Sequence, residues 1–401
     1  MKIGIVGAGT MGSGIALSAL YADLDVVLYD VYEAARDKAQ AYIERFLTKK
    51  ARLDVLNNLT ITDEMTALKD CQIVIEAVIE DLDVKRTLFE QLDSICGNDV
   101  IFATNTSTIS VTALATATSN PGRVVGMHFF NPAPVMKLVE VIRANQTDDT
   151  VIEQVTALAR TLGKTPVIVQ DTPGFVVNRV ARPFYLESLR IVSEGIATPQ
   201  QVDTVMQFGA GFRMGPFQLM DLIGIDVNLA SSQSVYEQTF YEPRFRPSLL
   251  QAQMVQANRL GRKTGHGFYD YSAGDVTFSS PSVPDDVGIP DDNVPEDAAL
   301  RLPAQIGYDG TMLPGAQVVT MSAVGDVDRQ RAAAHMHSRG LGVIWLAKNT
   351  PGHVLSRVVC QIINEAAFAL GEGVADAETI DTAMKPGVNY PSGPLEWLQV
   401  I

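Results

Sequence analysis

Cysteine is scarce in this chain: three in 401 residues, at positions 71, 96 and 360, with no CxxC spacing. So odd and scattered a count speaks against a disulfide framework or a cysteine-ligated zinc, and it fits a reducing cytoplasm. Basic residues are in deficit as well, 31 Lys and Arg against 46 Asp and Glu, for a net charge of −15. That argues against nucleic acid as a partner, because its phosphates need a basic face. A small anionic ligand stays open, since it needs only a few local donors or a helix N-terminus. The apolar stretch over residues 3–20 follows a single lysine and is interrupted by Gly4, Gly7, Gly9, Gly12 and Gly14. Neither a signal peptide nor a membrane span is read there. GxSxG and HExxH are missing. Gly163-Lys164-Thr165 ends like a phosphate-binding loop, but Leu158 stands where its first glycine belongs. Nucleophilic hydrolysis and metalloprotease chemistry have no support, and no metal site is expected.

What is present is a chain long enough for two or three domains, with a hydrophobic content of 46% that can fill sizeable cores. Short apolar runs alternate with helical patterns. Strands are expected at Lys2–Val6, Asp25–Tyr29, Gln72–Val78, Val100–Thr104, Val124–Phe130, Lys137–Ile142 and Thr165–Val169. Helices are expected over 11–22, 33–47, 83–95, from about Ser110, and over 149–162. Such alternation predicts an α/β fold with a parallel sheet covered on both faces. After Pro173 long helical patterns dominate through about residue 272. Ser279–Asp297, rich in Pro and Asp, reads as a linker. A small βαβ-like fragment follows: strands at Ala316–Met321 and Gly342–Ala347, with a helix over 327–338 between them.

The chain also repeats itself. Residues 173–223 align with 351–401 without a gap: Pro173-Gly174 with Pro351-Gly352, Arg179 with Arg357, Glu187 with Glu365, and Gly215-Pro216 with Gly393-Pro394. The expected organisation is a nucleotide-binding domain over 1–172, a helical domain over 173–275, a linker and small βαβ-like segment over 276–346, and an incomplete second helical copy over 347–401. The first copy runs about 50 residues further than the second does, so the expectation is either a sequence cut short or a second copy whose end is disordered.

Gly7-Ala8-Gly9-Thr10-Met11-Gly12 is a GxGxxG between an expected strand and helix, and the next strand ends at Asp30. That context is what the dinucleotide fingerprint requires. The glycines, with Thr10 and Met11, let the backbone and helix N-terminus approach a pyrophosphate. Asp30 would bond the ribose hydroxyls and repel a 2′-phosphate, which favours NAD over NADP. Moving a hydride from a secondary alcohol then requires a base, a group to hold the base, and donors for the oxygen. His128 and Glu140, twelve residues apart in apolar runs, suit the first two roles. Ser107, in Asn105-Thr106-Ser107-Thr108 at a strand's carboxyl end, and Asn178, at the start of the helical region, suit the third. On spacing alone each has a plain alternative: a satisfied strand histidine, a solvent-facing glutamate, a helix cap, an asparagine bonded to nearby backbone.

The motifs together decide between these. The GxGxxG, Asn105-Thr106-Ser107, His128-Phe129-Phe130-Asn131-Pro132, Met136-Lys137-Leu138-Val139-Glu140, Asp171 to Arg179, Met214-Gly215-Pro216 and Gly261 to Tyr269 occur in the order of the 3-hydroxyacyl-CoA dehydrogenase family, which the chain resembles over about residues 1–272. The resemblance implies a Rossmann-type domain followed by an all-α domain, here with a second copy of the α domain. It implies NAD-dependent oxidation of (S)-3-hydroxyacyl-CoA to 3-ketoacyl-CoA in fatty-acid β-oxidation. His128 would be the base, Glu140 its partner, Ser107 and Asn178 the holders of substrate oxygens, and Asn131 a residue shaping the site. Glu80, Lys85 and Asn105 would lie near the cofactor.

The doubled helical domain is similar to a bacterial subgroup acting on 3-hydroxybutyryl-CoA or, in phenylacetate catabolism, 3-hydroxyadipyl-CoA. An acyl-CoA is then the small-molecule partner, and the protein is a homodimer or a monomer with an internal pseudo-dimer of helical domains. A non-catalytic, crystallin-like NAD-binding relative is the alternative. Two departures from the family pattern stand out. The segment between Asp30 and Glu76 is short, leaving Lys49, Lys50 and Arg52 as candidate CoA phosphate contacts. Arg213 stands where relatives often have proline, a candidate partner for a tail carboxylate.

Overall fold

The computed structural model describes residues 1–282, 306–309, 313–323 and 329–400. It divides into two compact units, Met1–Asn178 with Ala369–Val388, and Arg179–Phe368 with Asn389–Ile401.

In the first unit β1 (Lys2–Val6), α1 (Thr10–Tyr21), β2 (Asp25–Tyr29), α2 (Glu33–Lys49), β3 (Leu59–Thr62), β4 (Ile73–Glu76), α3 (Leu82–Ile95), β5 (Ile101–Thr104), α4 (Val111–Ala115), β6 (Val124–Phe129), β7 (Leu138–Arg143), α5 (Asp149–Thr161) and β8 (Thr165–Gln170) follow one another. The strands form one eight-stranded sheet in the order β3-β2-β1-β4-β5-β6-β7-β8. The order reverses between β1 and β4, and the glycine loop after β1 lies at that switch point. Central strands are buried end to end, as Ile73–Glu76 and Ile101–Thr104 show, because helices cover both faces.

The sheet is not wholly parallel. β6 and β7 run antiparallel, while β7 and β8 pair in parallel. The eight residues between β6 and β7 are too few for a crossover helix, so the chain has to turn back as a hairpin. β3, a short edge strand beside β2, was not anticipated either.

The helical region opens with α6 (Val177–Val180) and continues through α7 (Arg182–Ser193), α8 (Pro199–Phe208), α9 (Pro216–Ile223), α10 (Ile225–Gln238) and α11 (Leu249–Gln256). Asp203 of α8 sits beneath the start of α9. It accepts the backbone N–H groups of Phe217 and Gln218 at 2.9 and 2.8 Å and the Tyr269 hydroxyl at 2.7 Å. Burial pushes its carboxyl up to about 7 against these three donors, which pull it down. Most of the expected linker, residues 283–305, lies outside the described residues.

β9 (Ile306–Tyr308), β10 (Val318–Ala323), α12 (Arg329–His337) and β11 (Gly342–Trp345) follow, then α13 (Leu355–Gly371), α14 (Ala377–Val388) and α15 (Pro394–Trp397). β9 and β10 are antiparallel, and β10 and β11 are parallel, with α12 between them. That is the topology of β6, β7, α5 and β8. The repeat therefore reaches further back than its sequence signal at Pro351, to strand β9.

The two copies make reciprocal contacts. Arg179 donates to Glu365 at 2.6 Å, and Arg357, its equivalent, donates to Glu187, the equivalent of Glu365, at 2.8 Å. In the first unit Gln170 N–H reaches the carbonyl of Val374; in the second, Ala347 N–H reaches that of Ile196, the residue equivalent to Val374. Gly387 of α14 lies so close to Leu138 that an added Cβ would come within 2.5 Å of it, and its equivalent Gly209 faces Val318 in the same way at 3.4 Å.

Candidate active site

The cofactor loop is built where β1 gives way to α1. Gly7 has φ +104°, and its N–H donates to the carbonyl of Tyr29. A Cβ on Gly12 would lie 1.7 Å from the carbonyl oxygen of Gly7, so only glycine lets α1 start this close to the loop. The space beside Gly9 is open, with nothing within 4 Å of a Cβ placed there. Helix α1 begins at Thr10 and Met11 without a side-chain cap, which leaves its first N–H groups to meet an anion. Asp30 closes the far side, accepting Ala8 N–H at 2.7 Å and Tyr32 N–H at 2.9 Å. Its remaining lone pairs can take ribose hydroxyls. An open glycine cradle, an uncapped helix start and a carboxylate at the end of β2 together fit NAD.

The geometry of the expected catalytic pair depends on strand register. His128 in β6 and Glu140 in β7 are direct cross-strand partners, and both side chains are buried. His128 Nδ1 lies 2.7 Å from Glu140 Oε2. The carboxylate can only accept, so Nδ1 carries the proton and Nε2 is left able to accept one. The other oxygen of Glu140 accepts Val176 N–H at 3.1 Å and Val177 N–H at 2.9 Å. Phe130 and Phe175 pack on the imidazole, with ring centroids 4.6 and 6.0 Å away.

The remaining site residues are tied to this pair through backbone. Asn105 Oδ1 accepts the N–H of Phe129, next to His128, at 2.8 Å. Asn178 follows the Val176-Val177 segment held by Glu140, and its Nδ2 donates to the Ser107 carbonyl at 3.3 Å. Ser107 and Asn178 are thus neighbours: Asn105, in the loop of Ser107, bonds the backbone beside His128, and Asn178 follows the segment held by Glu140. Asn131 is exposed at the start of the loop after β6. Lys164 pins that loop from below, donating to the carbonyls of Ala133 and Met136. Burial, with help from the charge of Lys137, draws the Lys164 ammonium down to about 8.

Beneath the loop that follows β5 lies a charged cluster which sequence reasoning did not find. Lys85 is buried, with its ammonium 2.7 and 2.9 Å from the two oxygens of Glu76 and 3.2 Å from Glu80. Thr104 Oγ1 and Val78 N–H complete the partners of Glu76. A glutamate closing the apolar run Ile73–Glu76, nine residues before a lysine on an apolar helix face, was the available signal. Of the candidate CoA contacts, Arg52 is in ion pairs with Asp23 and Asp54, while Lys49 and Lys50 are exposed.

The second copy lacks the pair. Gly342 N–H donates to the Gln317 carbonyl as Thr165 N–H does to that of Lys137, which places Gly342 at the position of Thr165, and the strand registers then place Thr320 at that of Glu140 and Asp309 at that of His128. Ser356, at the position of Asn178, bonds Asp309 through its N–H and hydroxyl. Among the described residues there is therefore one such pair. Among the described residues no helix is long and apolar enough to cross a membrane, and no group of three His, Cys, Asp or Glu side chains could hold a metal ion.

Comparison with known proteins agrees with this geometry. Residues 2–172 match the family model described as 3-hydroxyacyl-CoA dehydrogenase, NAD binding domain. Residues 174–271 and again 352–401 match the one described as 3-hydroxyacyl-CoA dehydrogenase, C-terminal domain. The chain is 40% identical to a 3-hydroxyadipyl-CoA dehydrogenase of Escherichia coli K12, over 98% of this chain and 90% of that one. It is 39% identical to the human mitochondrial hydroxyacyl-coenzyme A dehydrogenase, over 67% of this chain and 90% of that one. Among solved structures, a 3-hydroxybutyryl-CoA dehydrogenase of E. coli K12 superposes with a TM-score of 0.90 at 39% identity, covering 99% of this chain and 90% of that one. An NAD-binding domain within matches that span nearly the whole chain speaks against a non-catalytic relative: the chain belongs to the 3-hydroxyacyl-CoA dehydrogenase family and is an NAD-dependent oxidoreductase.

Proposed function

We propose that the chain oxidises short-chain or dicarboxylyl (S)-3-hydroxyacyl-CoA thioesters, 3-hydroxybutyryl-CoA or 3-hydroxyadipyl-CoA, and that His128 is the base. The observation that carries the base assignment is the buried 2.7 Å contact from His128 Nδ1 to Glu140. Nε2 takes the proton of the substrate's 3-hydroxyl while Glu140 holds the ring and balances the imidazolium charge. Ser107 and Asn178 hold substrate oxygens. Gly7, Gly9, Thr10, Met11, Gly12 and Asp30 would hold the phosphates and ribose of NAD, which would supply the acceptor for the C3 hydride, with Asn105, Asn131, Glu80 and Lys85 nearby. Three free thiols, two of them buried, suit a reducing cytoplasm.

The near full-length likenesses include both a 3-hydroxyadipyl-CoA and a 3-hydroxybutyryl-CoA enzyme. One feature favours the dicarboxylyl substrate: Arg213, exposed between α8 and α9 with Nη1 3.5 Å from Asn389 Oδ1, is a cation able to pair with a tail carboxylate. The test is NADH oxidation with acetoacetyl-CoA and 3-oxoadipyl-CoA. Arg213→Ala should lower the preference for the dicarboxylyl substrate about 10-fold, the scale of one charge-assisted contact. An unchanged ratio would remove Arg213 from the specificity argument.

We also infer that the two helical copies replace a homodimer. The Arg179–Glu365 and Arg357–Glu187 pairs repeat one contact in both directions, as an isologous interface does. Light scattering should return one chain mass, 43.3 kDa for this sequence. A dimer closing through the Arg179 and Glu187 face would overturn the inference.

A further inference from the structure

Glu80 lies between β4 and α3, and its carboxylate is turned to the loop after β5. Glu80 Oε1 accepts Thr106 Oγ1 at 2.7 Å, Ser107 N–H at 2.7 Å, Thr108 N–H at 3.0 Å and the Ser107 hydroxyl at 3.1 Å. Its other oxygen lies 3.2 Å from Lys85. Burial alone would raise this carboxyl. The charge of Lys85, with the donors on Thr106 and Ser107, outweighs burial and holds it below the ordinary carboxylate range. One cation between two carboxylates leaves a net negative charge under the loop. With the Thr108 hydroxyl at 3.4 Å, five donors crowd one oxygen and exceed its lone pairs, and the two longest are the freely rotating hydroxyls of Ser107 and Thr108. The Ser107 hydroxyl can therefore be given up while the backbone N–H groups of Ser107 and Thr108 still hold the loop.

We propose that Glu80 is a positioning residue for Ser107: it fixes the 106–108 loop through backbone N–H groups and parks the Ser107 hydroxyl until a substrate oxygen takes over its proton. The proposal rests on the reading of Ser107 as a substrate contact. Lys85 orients Glu80 from below. Glutamine at position 80 keeps the size but loses the charge, and it presents an N–H group where an acceptor is needed.

A double-mutant cycle tests this. Ser107→Ala, Glu80→Gln and the double variant are compared for kcat with acetoacetyl-CoA and for NADH affinity by fluorescence. Each single variant should lose about 10-fold in kcat, and the double variant should fall no more than about 3-fold below the worse single. NADH affinity in Glu80→Gln should stay within about 3-fold, and Glu80→Asp, which keeps the charge, should recover part of kcat. Losses that multiply in the double variant, or a tenfold loss of NADH affinity with kcat intact, would overturn the proposal and make Glu80 a cofactor contact. Full activity in Ser107→Ala would remove the reading of Ser107 itself, and this proposal with it.

Discussion

Replacing His128 with glutamine should lower kcat by about 10²- to 10⁴-fold, the range for loss of a positioned general base. The affinities for NADH and for the acyl-CoA should stay close to those of the wild type. Glutamine has no group that accepts a proton near neutral pH, yet its amide N–H can donate to Glu140 Oε2 as Nδ1–H does. The buried carboxylate keeps a partner, and the contacts of Glu140 with Val176 and Val177 N–H are untouched. The loss should therefore fall on the chemical step alone, which separates it from a folding defect. The measurement is steady-state NADH oxidation with acetoacetyl-CoA, with NADH binding followed by fluorescence. A variant within about 3-fold of wild-type kcat would show that another group takes the proton.

That pairing was only half legible in the sequence. A histidine and a glutamate twelve residues apart have no fixed relation in an all-parallel sheet. They face each other because β6 and β7 form a hairpin, with Gly126 opposite Ile142 and His128 opposite Glu140. The apolar runs that became β1, β2 and β4 were readable because strands buried on both faces leave near-continuous hydrophobic sequence. β3, half-exposed at the sheet edge, has no such run. The cofactor loop was readable because Gly7 and Gly12 meet steric limits that no other residue meets. The charged cluster was not. Lys85 was expected beside the cofactor, and its ammonium is enclosed by Glu76 and Glu80; its place on the apolar face of α3 hints at burial, but the partners that enclose it come from outside that helix. The second copy's strands were hidden for a related reason. A fold tolerates sequence drift in a three-stranded sheet that carries no such pair, and Asp309 and Thr320 stand at the positions of His128 and Glu140.

Glu140 should show the largest combined effect on activity and stability, and two substitutions separate the two contributions. Its side chain is fully buried and accepts three donors: Nδ1 of His128 and the N–H groups of Val176 and Val177. Alanine leaves all three without a partner, at about 1–3 kcal/mol each, and opens a cavity. Glu140→Ala should therefore lose several kcal/mol, a large fraction of the ~5–15 kcal/mol typical of a folded domain. Glutamine can still accept from Val176 and Val177, so its stability loss should be no more than ~2 kcal/mol. Its amide group, however, would face Nδ1 with a donor. The imidazole would then settle with Nδ1 as acceptor and the proton on Nε2, and the nitrogen that should receive the substrate's proton would already carry one. Glu140→Gln should thus lose about 10³- to 10⁴-fold in kcat while remaining folded, as expected when a catalytic histidine is held in the wrong tautomer. Chemical denaturation read beside NADH oxidation decides the matter. If Glu140→Gln kept near wild-type kcat, the carboxylate would be a structural tie between β7 and the Val176-Val177 turn, with no part in orienting the base.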